Sequence, residues 1–153
     1  MSHEVAVALG SNLGDRRSLL RFAVSRLSSL LTDLRVSDFV ETAPVGVAPQ
    51  ADFLNAAVAG FSRLEDPRQL LEGLLLIERE AGRERPAPGA PRTLDLDLIL
   101  FGDSVMDEPR LCLPHPRFRS RRFVLEPLAQ VAGHMVDPVT GLTVGELLAK
   151  LRS

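Results

Sequence analysis

The chain has 153 residues, with 17 Arg and one Lys against 20 Asp and Glu, for a formal charge of −2. That length is one ordinary domain with enough chain to bury a sizeable core, and its charge balance excludes the strongly basic coat of a bulk nucleic-acid binder. Globular composition, no apolar run near the ~20 residues of a membrane span, and a single cysteine, Cys112, further exclude general disorder, membrane insertion and an internal disulfide.

The start, MSHEVAVALG, lacks the basic and long apolar regions of a secretion signal, so the expected location is the cytoplasm. Glu4 to Leu9 alternates and reads as a first strand, closed by Gly10-Ser11-Asn12. From Leu19 to Leu31 apolar residues recur at helical spacing. A second strand is expected from Leu34 to about Val40, a loop over residues 43 to 51, and a third strand from Phe53 to Phe61. Asp66-Pro67 supplies an N-cap and a first-turn proline for a second helix, which stops at Gly82. Residues 83 to 92, RERPAPGAPR, hold three Pro and one Gly and predict a mobile loop. Thr93 to Phe101 is the clearest strand. A helix from about Arg121 to Ala132, bent at Pro127, and a capping box Thr143-x-x-Glu146 opening a short last helix complete the order. No repeat or linker divides the chain, which is expected to be a single domain over 1–153. The order β-α-β-β-α-β plus a helical tail predicts an α+β, ferredoxin-like fold with a mainly antiparallel sheet and two helices on one face.

Function must come from sites. In TLDLDLILF the period of two puts Asp95 and Asp97 on one face and Leu94, Leu96 and Leu98 on the other. Two carboxylates roughly 7 Å apart repel unless something positive lies between them, and Mg²⁺ takes one or two carboxylates while phosphates fill other positions. The bland alternative is a solvated strand face. Arg83, Arg85 and Arg92 bracket the Pro-rich loop; Arg110, Arg117, Arg119, Arg121 and Arg122 lie within thirteen residues that contain His115 and no acid. Guanidinium forks match phosphate oxygens, although either cluster alone can be ordinary basic surface. His115, between two prolines, fits phosphate donation, proton transfer or a structural turn. His3 and His134 read as surface residues without partners. Phe53 and Asn55 share a strand face, an amide that can read a heterocycle edge beside a ring that can stack. By residue type alone Phe53 and Phe123 are core. Gly10 to Asp15 fits neither a P-loop nor a dinucleotide fingerprint and reads as a turn that caps the first helix.

Taken in order, ALGSNLGDR, ETAPVG, FLNAAV, IEREAGRER, PRTLDLDLILFG and LPHPRFRSRRFVLEPL resemble the 6-hydroxymethyl-7,8-dihydropterin pyrophosphokinase family of folate biosynthesis, from about Val5 to Leu151. The resemblance implies transfer of pyrophosphate from ATP to the pterin hydroxymethyl group with release of AMP. It implies Asp95 and Asp97 as ligands of two Mg²⁺, and Arg83 and Arg92 beside them as catalytic residues. It places Glu78, Arg85, Arg110, His115 and Arg121 with ATP, and the backbone of Leu98 and Cys112 at adenine. It makes Phe53 and Phe123 the walls of a pterin slot, read by Asn55 and by the backbone around Thr42, Ala43 and Val45. No protein base stands out, so metal-assisted deprotonation of the hydroxyl is expected. The expected partners are ATP and reduced pterin, with no nucleic acid, no membrane and a monomeric state. Two departures bear on ATP: Pro88-Gly89-Ala90 precedes Pro91-Arg92 where the family commonly has Trp-Gly, and Leu75 replaces a glutamine.

An RNA-binding module on this fold needs aromatics on its central strands, and EVAVAL has none. A regulatory domain has no need for the Asp pair together with the arginine segments. A phosphohydrolase, using water as acceptor, has no use for the Phe-Asn-Phe set.

Overall fold

The computed structural model describes residues 3–12, 15–42, 53–82 and 94–152. Strands β1 (His3–Ser11), β2 (Leu31–Val36), β3 (Val40–Thr42), β4 (Phe53–Ser62) and β5 (Asp95–Phe101) form one sheet. Its order is β2-β4-β1-β5, with β3 also paired to β4, and every pairing is antiparallel. Helix α1 (Arg16–Leu27) joins β1 to β2, and α2 (Pro67–Gly82) joins β4 to β5. This is the split β-α-β arrangement expected from the element order. A two-stranded ribbon, β6 (Met106–Asp107) and β7 (Cys112–Leu113), follows, then a 3₁₀ turn at Phe118–Ser120, α3 (Arg122–Ala132) and α4 (Val144–Arg152).

Both sheet faces are covered, by different kinds of residue. Val5, Val7, Leu9, Val58, Leu96 and Leu98 pack under Leu20, Leu27, Leu70, Leu74 and Ile77 of α1 and α2. The opposite face presents Ala6, Ala8, Ala57 and Ala59, and these short side chains admit Val124, Leu125 and Leu128 of α3. The C-terminal helices therefore form a second layer rather than a loose tail.

Several ends form as their sequences dictate. Asp15 caps α1, accepting the Ser18 N–H at 3.1 Å and its hydroxyl at 2.9 Å, which holds the Asp15 carboxyl below its usual range. Asp66 accepts the Arg68 N–H at 2.9 Å ahead of α2. At α4 the Glu146 N–H donates to Thr143 Oγ1 at 3.1 Å and the Thr143 N–H to Glu146 Oε1 at 2.9 Å, a complete capping box.

Other expectations shift. The first helix ends at Leu27, not Leu31, because the Ser28 and Ser29 hydroxyls take the carbonyls of Ser25 and Arg26 at 2.6 and 2.7 Å. Leu31 instead opens β2, which starts three residues before the expected Leu34 and is separated from β3. Asp33 sits at φ 51° where the β2–β4 register shifts, and Ser37 then accepts the Ala57 N–H at 2.8 Å. Strand β5 carries a register shift of its own, so Ile99 and Leu100 both face α3 while Leu98 and Phe101 face α1 and α2. His3 and His134 do have partners: Glu65 at 3.2 Å and Glu4 at 2.7 Å. Sequence proximity gives no sign of them, because they lie 62 and 130 residues away. The expected loops over 43–51 and 83–92, with Ala43, Val45, Arg83, Arg85 and Arg92, lie outside the described residues.

Candidate active site

Strand register builds the site from the sheet outward. Gly10 of β1 is paired with Asn55 of β4 on one side and Asp95 of β5 on the other. Neighbouring strands lie about 4.8 Å apart, so an amide and a carboxylate sit roughly 10 Å apart with a bare glycine between them. A Cβ on Gly10 would stand 3.4 Å from Asn55 Oδ1, so the missing side chain leaves that gap open. Sequence reasoning misses this role, because Gly10 reads there only as the close of a strand. Its signal is a glycine inside the β-run AVALGS.

Asp97 is two residues beyond Asp95, opposite Ala8, and faces the same way. The alternation with Leu94, Leu96 and Leu98, all buried in the α1–α2 core, holds as expected. Asp95 is exposed and Asp97 half-buried. From α2, Glu78 accepts the Leu96 N–H at 2.7 Å, tying the strand midway between the two aspartates. Among the described residues β5 is an edge strand, and this carboxylate satisfies an N–H that no strand of the described sheet meets.

His115 is brought to the same strand by its N–H, which donates to the Ile99 carbonyl at 3.0 Å. Burial pushes its imidazole below the usual range, the Asp97 carboxylate opposes this, and Arg121 and Arg117 add to it. Those four side chains therefore share one electrostatic neighbourhood. His115 Nδ1 accepts the Arg117 N–H at 3.2 Å, so the neutral ring carries its proton on Nε2 and can donate there.

The arginine cluster resolves into paired and unpaired members. Arg110 pairs with Glu72 at 3.0 Å, Arg122 with Glu126 at 2.8 Å, and Arg119 with Asp137 at 2.5 Å. Among the described residues Arg117 and Arg121 have no carboxylate partner, and the Arg121 guanidinium lies 5.7 Å from the centre of the Phe123 ring. The run of five basic residues thus offers two uncommitted cations beside His115.

Neither aromatic candidate is core. Phe123, in the first turn of α3, is 42% exposed, and Phe53 is half-buried, whereas nearby Phe118 is 0% exposed. Asn55 is 6% exposed and donates from Nδ2 to Thr42 Oγ1 at 2.6 Å. Leu98 has its side chain in the core, which leaves only its backbone to meet a ligand. Cys112 lies in β7 with Sγ 3.7 Å from Asp107 Oδ1 and from the Glu108 carbonyl.

The donor set decides what metal could fit. Among the described residues no three His, Cys, Asp or Glu gather as a closed metal cluster. Two carboxylates on one face suit a hard cation that completes its shell with water and phosphate oxygens, and do not suit a structural zinc site.

A family profile described as 7,8-dihydro-6-hydroxymethylpterin-pyrophosphokinase (HPPK) matches residues 6–133. The 2-amino-4-hydroxy-6-hydroxymethyldihydropteridine pyrophosphokinase of Bacillus subtilis (strain 168) is 45% identical over 142 residues, covering 92% of this chain and 84% of that protein. The protein of the same name from Pseudomonas aeruginosa is 41% identical over 151 residues, covering 97% and 92%. A mitochondrial folate synthesis bifunctional protein of Arabidopsis thaliana is 43% identical over 136 residues, yet this chain spans only 24% of it. The crystal structure of wild-type Plasmodium falciparum HPPK-DHPS superposes with a TM-score of 0.79 at 14% identity, over 98% of this chain and 45% of that one, a likeness of fold.

Proposed function

The chain belongs to the 7,8-dihydro-6-hydroxymethylpterin-pyrophosphokinase family, and from that premise we propose how its residues divide the work. The enzyme transfers pyrophosphate from ATP to the hydroxymethyl group of 6-hydroxymethyl-7,8-dihydropterin in folate biosynthesis, releasing AMP.

The observation that carries the assignment is the row Asn55–Gly10–Asp95 across three strands. It supports a pterin end at Asn55 and a phosphate end at the aspartates, with the bare glycine beneath the reacting atoms. Asn55, held by Thr42, reads the pterin edge; its Oδ1 and second N–H stay available for the ring. Phe53 and Phe123 hold the ring between them, and the backbone near Thr42, Ala43 and Val45 completes the edge contacts. His115 donates from Nε2 to a phosphate oxygen, and Arg121 lies beside it with no carboxylate partner among the described residues. Arg83, Arg85 and Arg92 act on the same phosphates. Arg110 joins them at little cost, since its exposed pair with Glu72 is worth at most about 1 kcal/mol. Glu78 holds the strand between the aspartates, and the backbone of Leu98 and Cys112 borders adenine.

Asp95 and Asp97 would hold two Mg²⁺ together with the triphosphate. When bound, magnesium offsets negative charge on the transferring group and lowers the proton affinity of the attacking hydroxyl. The protein contributes position: sheet and α3 fix acceptor and donor in line before charge develops. The enzyme works as a single-domain monomer in the cytoplasm, with ATP and reduced pterin as its partners. Among the described residues no helix is long and apolar enough to cross a membrane.

Replacing Asp97 with Ala tests the assignment. Turnover should fall by roughly 100- to 1000-fold, the scale of losing a transition-state electrostatic contact, while circular dichroism and the melting temperature stay close to wild type. Activity within tenfold of wild type would remove Asp97 from the metal site.

A further inference from the structure

His115, Arg121 and Phe123 must be held in register by one short segment that is irregular for most of its length. The segment is anchored at its start by the His115 N–H on Ile99 and in its middle by the buried Phe118. A further tie runs away from the site. Arg119 directs Nε and Nη2 onto the two oxygens of Asp137 at 2.5 and 2.9 Å, with its guanidinium carbon 5.1 Å from the Phe118 ring centre.

Asp137 is 0% exposed, and each oxygen has a second donor. The Val139 N–H reaches Oδ1 at 3.0 Å and the Thr140 hydroxyl reaches Oδ2 at 2.7 Å. Its backbone closes the same corner: its N–H donates to Leu142 and its carbonyl accepts from Gly141, both at 2.8 Å. The corner is continuous with the capped start of α4, where the Val144 N–H donates to Met135 at 2.9 Å. A two-pronged contact between a planar fork and a saturated, buried carboxylate fixes both the distance and the angle of Arg119. Without Asp137 a half-buried guanidinium loses its counter-charge, and the segment must move to hydrate it.

We propose that Asp137, acting through Arg119, is a positioning residue for substrate binding: the Asp137–Arg119 pair, and not the looseness of the corner around it, sets the affinity for ATP and pterin without touching either. The inference rests on the assignment of His115, Arg121 and Phe123 to those substrates. It also means that Arg119, in the middle of the basic run, is a structural cation and not a phosphate ligand.

The test compares Asp137→Asn, Arg119→Met and Arg119→Lys with Thr143→Ala, which loosens the same corner by breaking the capping box but leaves Arg119 paired. KM for each substrate and kcat are measured at a temperature where all variants are fully folded by circular dichroism. Asp137→Asn and Arg119→Met should raise both KM values at least fivefold with kcat changed less than twofold. Arg119→Lys, which keeps the charge but not the fork, should recover only part of the loss, and Thr143→Ala should stay within twofold of wild type. KM values in Asp137→Asn and Arg119→Met that match Thr143→Ala would overturn the proposal and leave the pair a stability element only. Arg121→Ala is run alongside: if it too leaves the KM for ATP unchanged, the assignment of the site has failed, and the inference falls with it.

Discussion

Phe118 and Phe123 lie five positions apart and should answer opposite questions when truncated. Phe123 is 42% exposed in the first turn of α3, whereas Phe118 is 0% exposed in the core between the sheet and α3. Full burial of a Phe side chain is worth about 1.5–3 kcal/mol, so Phe123→Ala, losing a partly exposed ring, should cost about 1 kcal/mol. For a chain of this size that lowers the melting temperature by roughly 2–4 °C. Phe118→Ala removes a fully buried ring and should cost about 3–5 kcal/mol. Ligand binding should show the reverse order. Stacking of a flat heterocycle on an aromatic ring is worth about 1–3 kcal/mol, which is a ~5- to ~150-fold rise in Kd at 1.4 kcal/mol per decade. Calorimetric titration of the reduced pterin, with Mg²⁺ and a non-hydrolysable ATP analogue present, reads that change; thermal unfolding reads the other. Phe123→Leu, bulky but not flat, should fall between wild type and Ala in affinity. The reasoning is refuted if Phe123→Ala binds pterin within twofold of wild type, or if it unfolds as easily as Phe118→Ala.

Thr42→Val keeps the shape but leaves the buried Asn55 Nδ2 without the acceptor it meets at 2.6 Å. It should destabilise the protein by about 1–3 kcal/mol in urea unfolding and weaken pterin binding, while Thr42→Ser restores both. Acid unfolding should expose the Asp137 corner. Burial raises that carboxyl, but Arg119, Thr140 and the Val139 N–H outweigh it and hold it down to about 2, against 3.8 unperturbed. A depressed folded-state value contributes stability that is full above the unperturbed value and is lost as pH falls towards 2. At about 1.4 kcal/mol per pH unit the contribution is about 2 kcal/mol. The stability gap between wild type and Asp137→Asn should therefore shrink by that amount between pH 6 and pH 2; a gap that stays constant contradicts the assignment. Thr143→Ala should cost about 1 kcal/mol in thermal unfolding through the lost cap.

Chemistry that is complete within a few residues is legible in the amino-acid order itself. The alternation in TLDLDLILF assigns Asp95 and Asp97 to one face, and Thr143 with Glu146 announces the last helix. The irregularities are not legible in this way. The register shift at Ile99 and the break between β2 and β3 arise where two strands must match each other, which neither strand encodes alone. The basic run from Arg110 to Arg122 misleads for the same reason. Asp137 is a neighbour of Arg119 only after folding, so a count of like charges overstates the cations open to phosphate. Asn55 is recognisable as an amide on the correct face, yet the hydroxyl that orients it, Thr42, is brought alongside by strand pairing. The exposure that takes Phe123 out of the core is likewise a property of how α3 docks, since residue type favours burial.

The most direct measurement is the nucleotide product formed with Mg²⁺, ATP and 6-hydroxymethyl-7,8-dihydropterin, resolved by ion-exchange chromatography. Transfer of a pyrophosphoryl group predicts AMP in a one-to-one ratio with pterin consumed, and no nucleotide turnover when pterin is omitted. ADP as the product, or AMP that forms without pterin, would contradict the account.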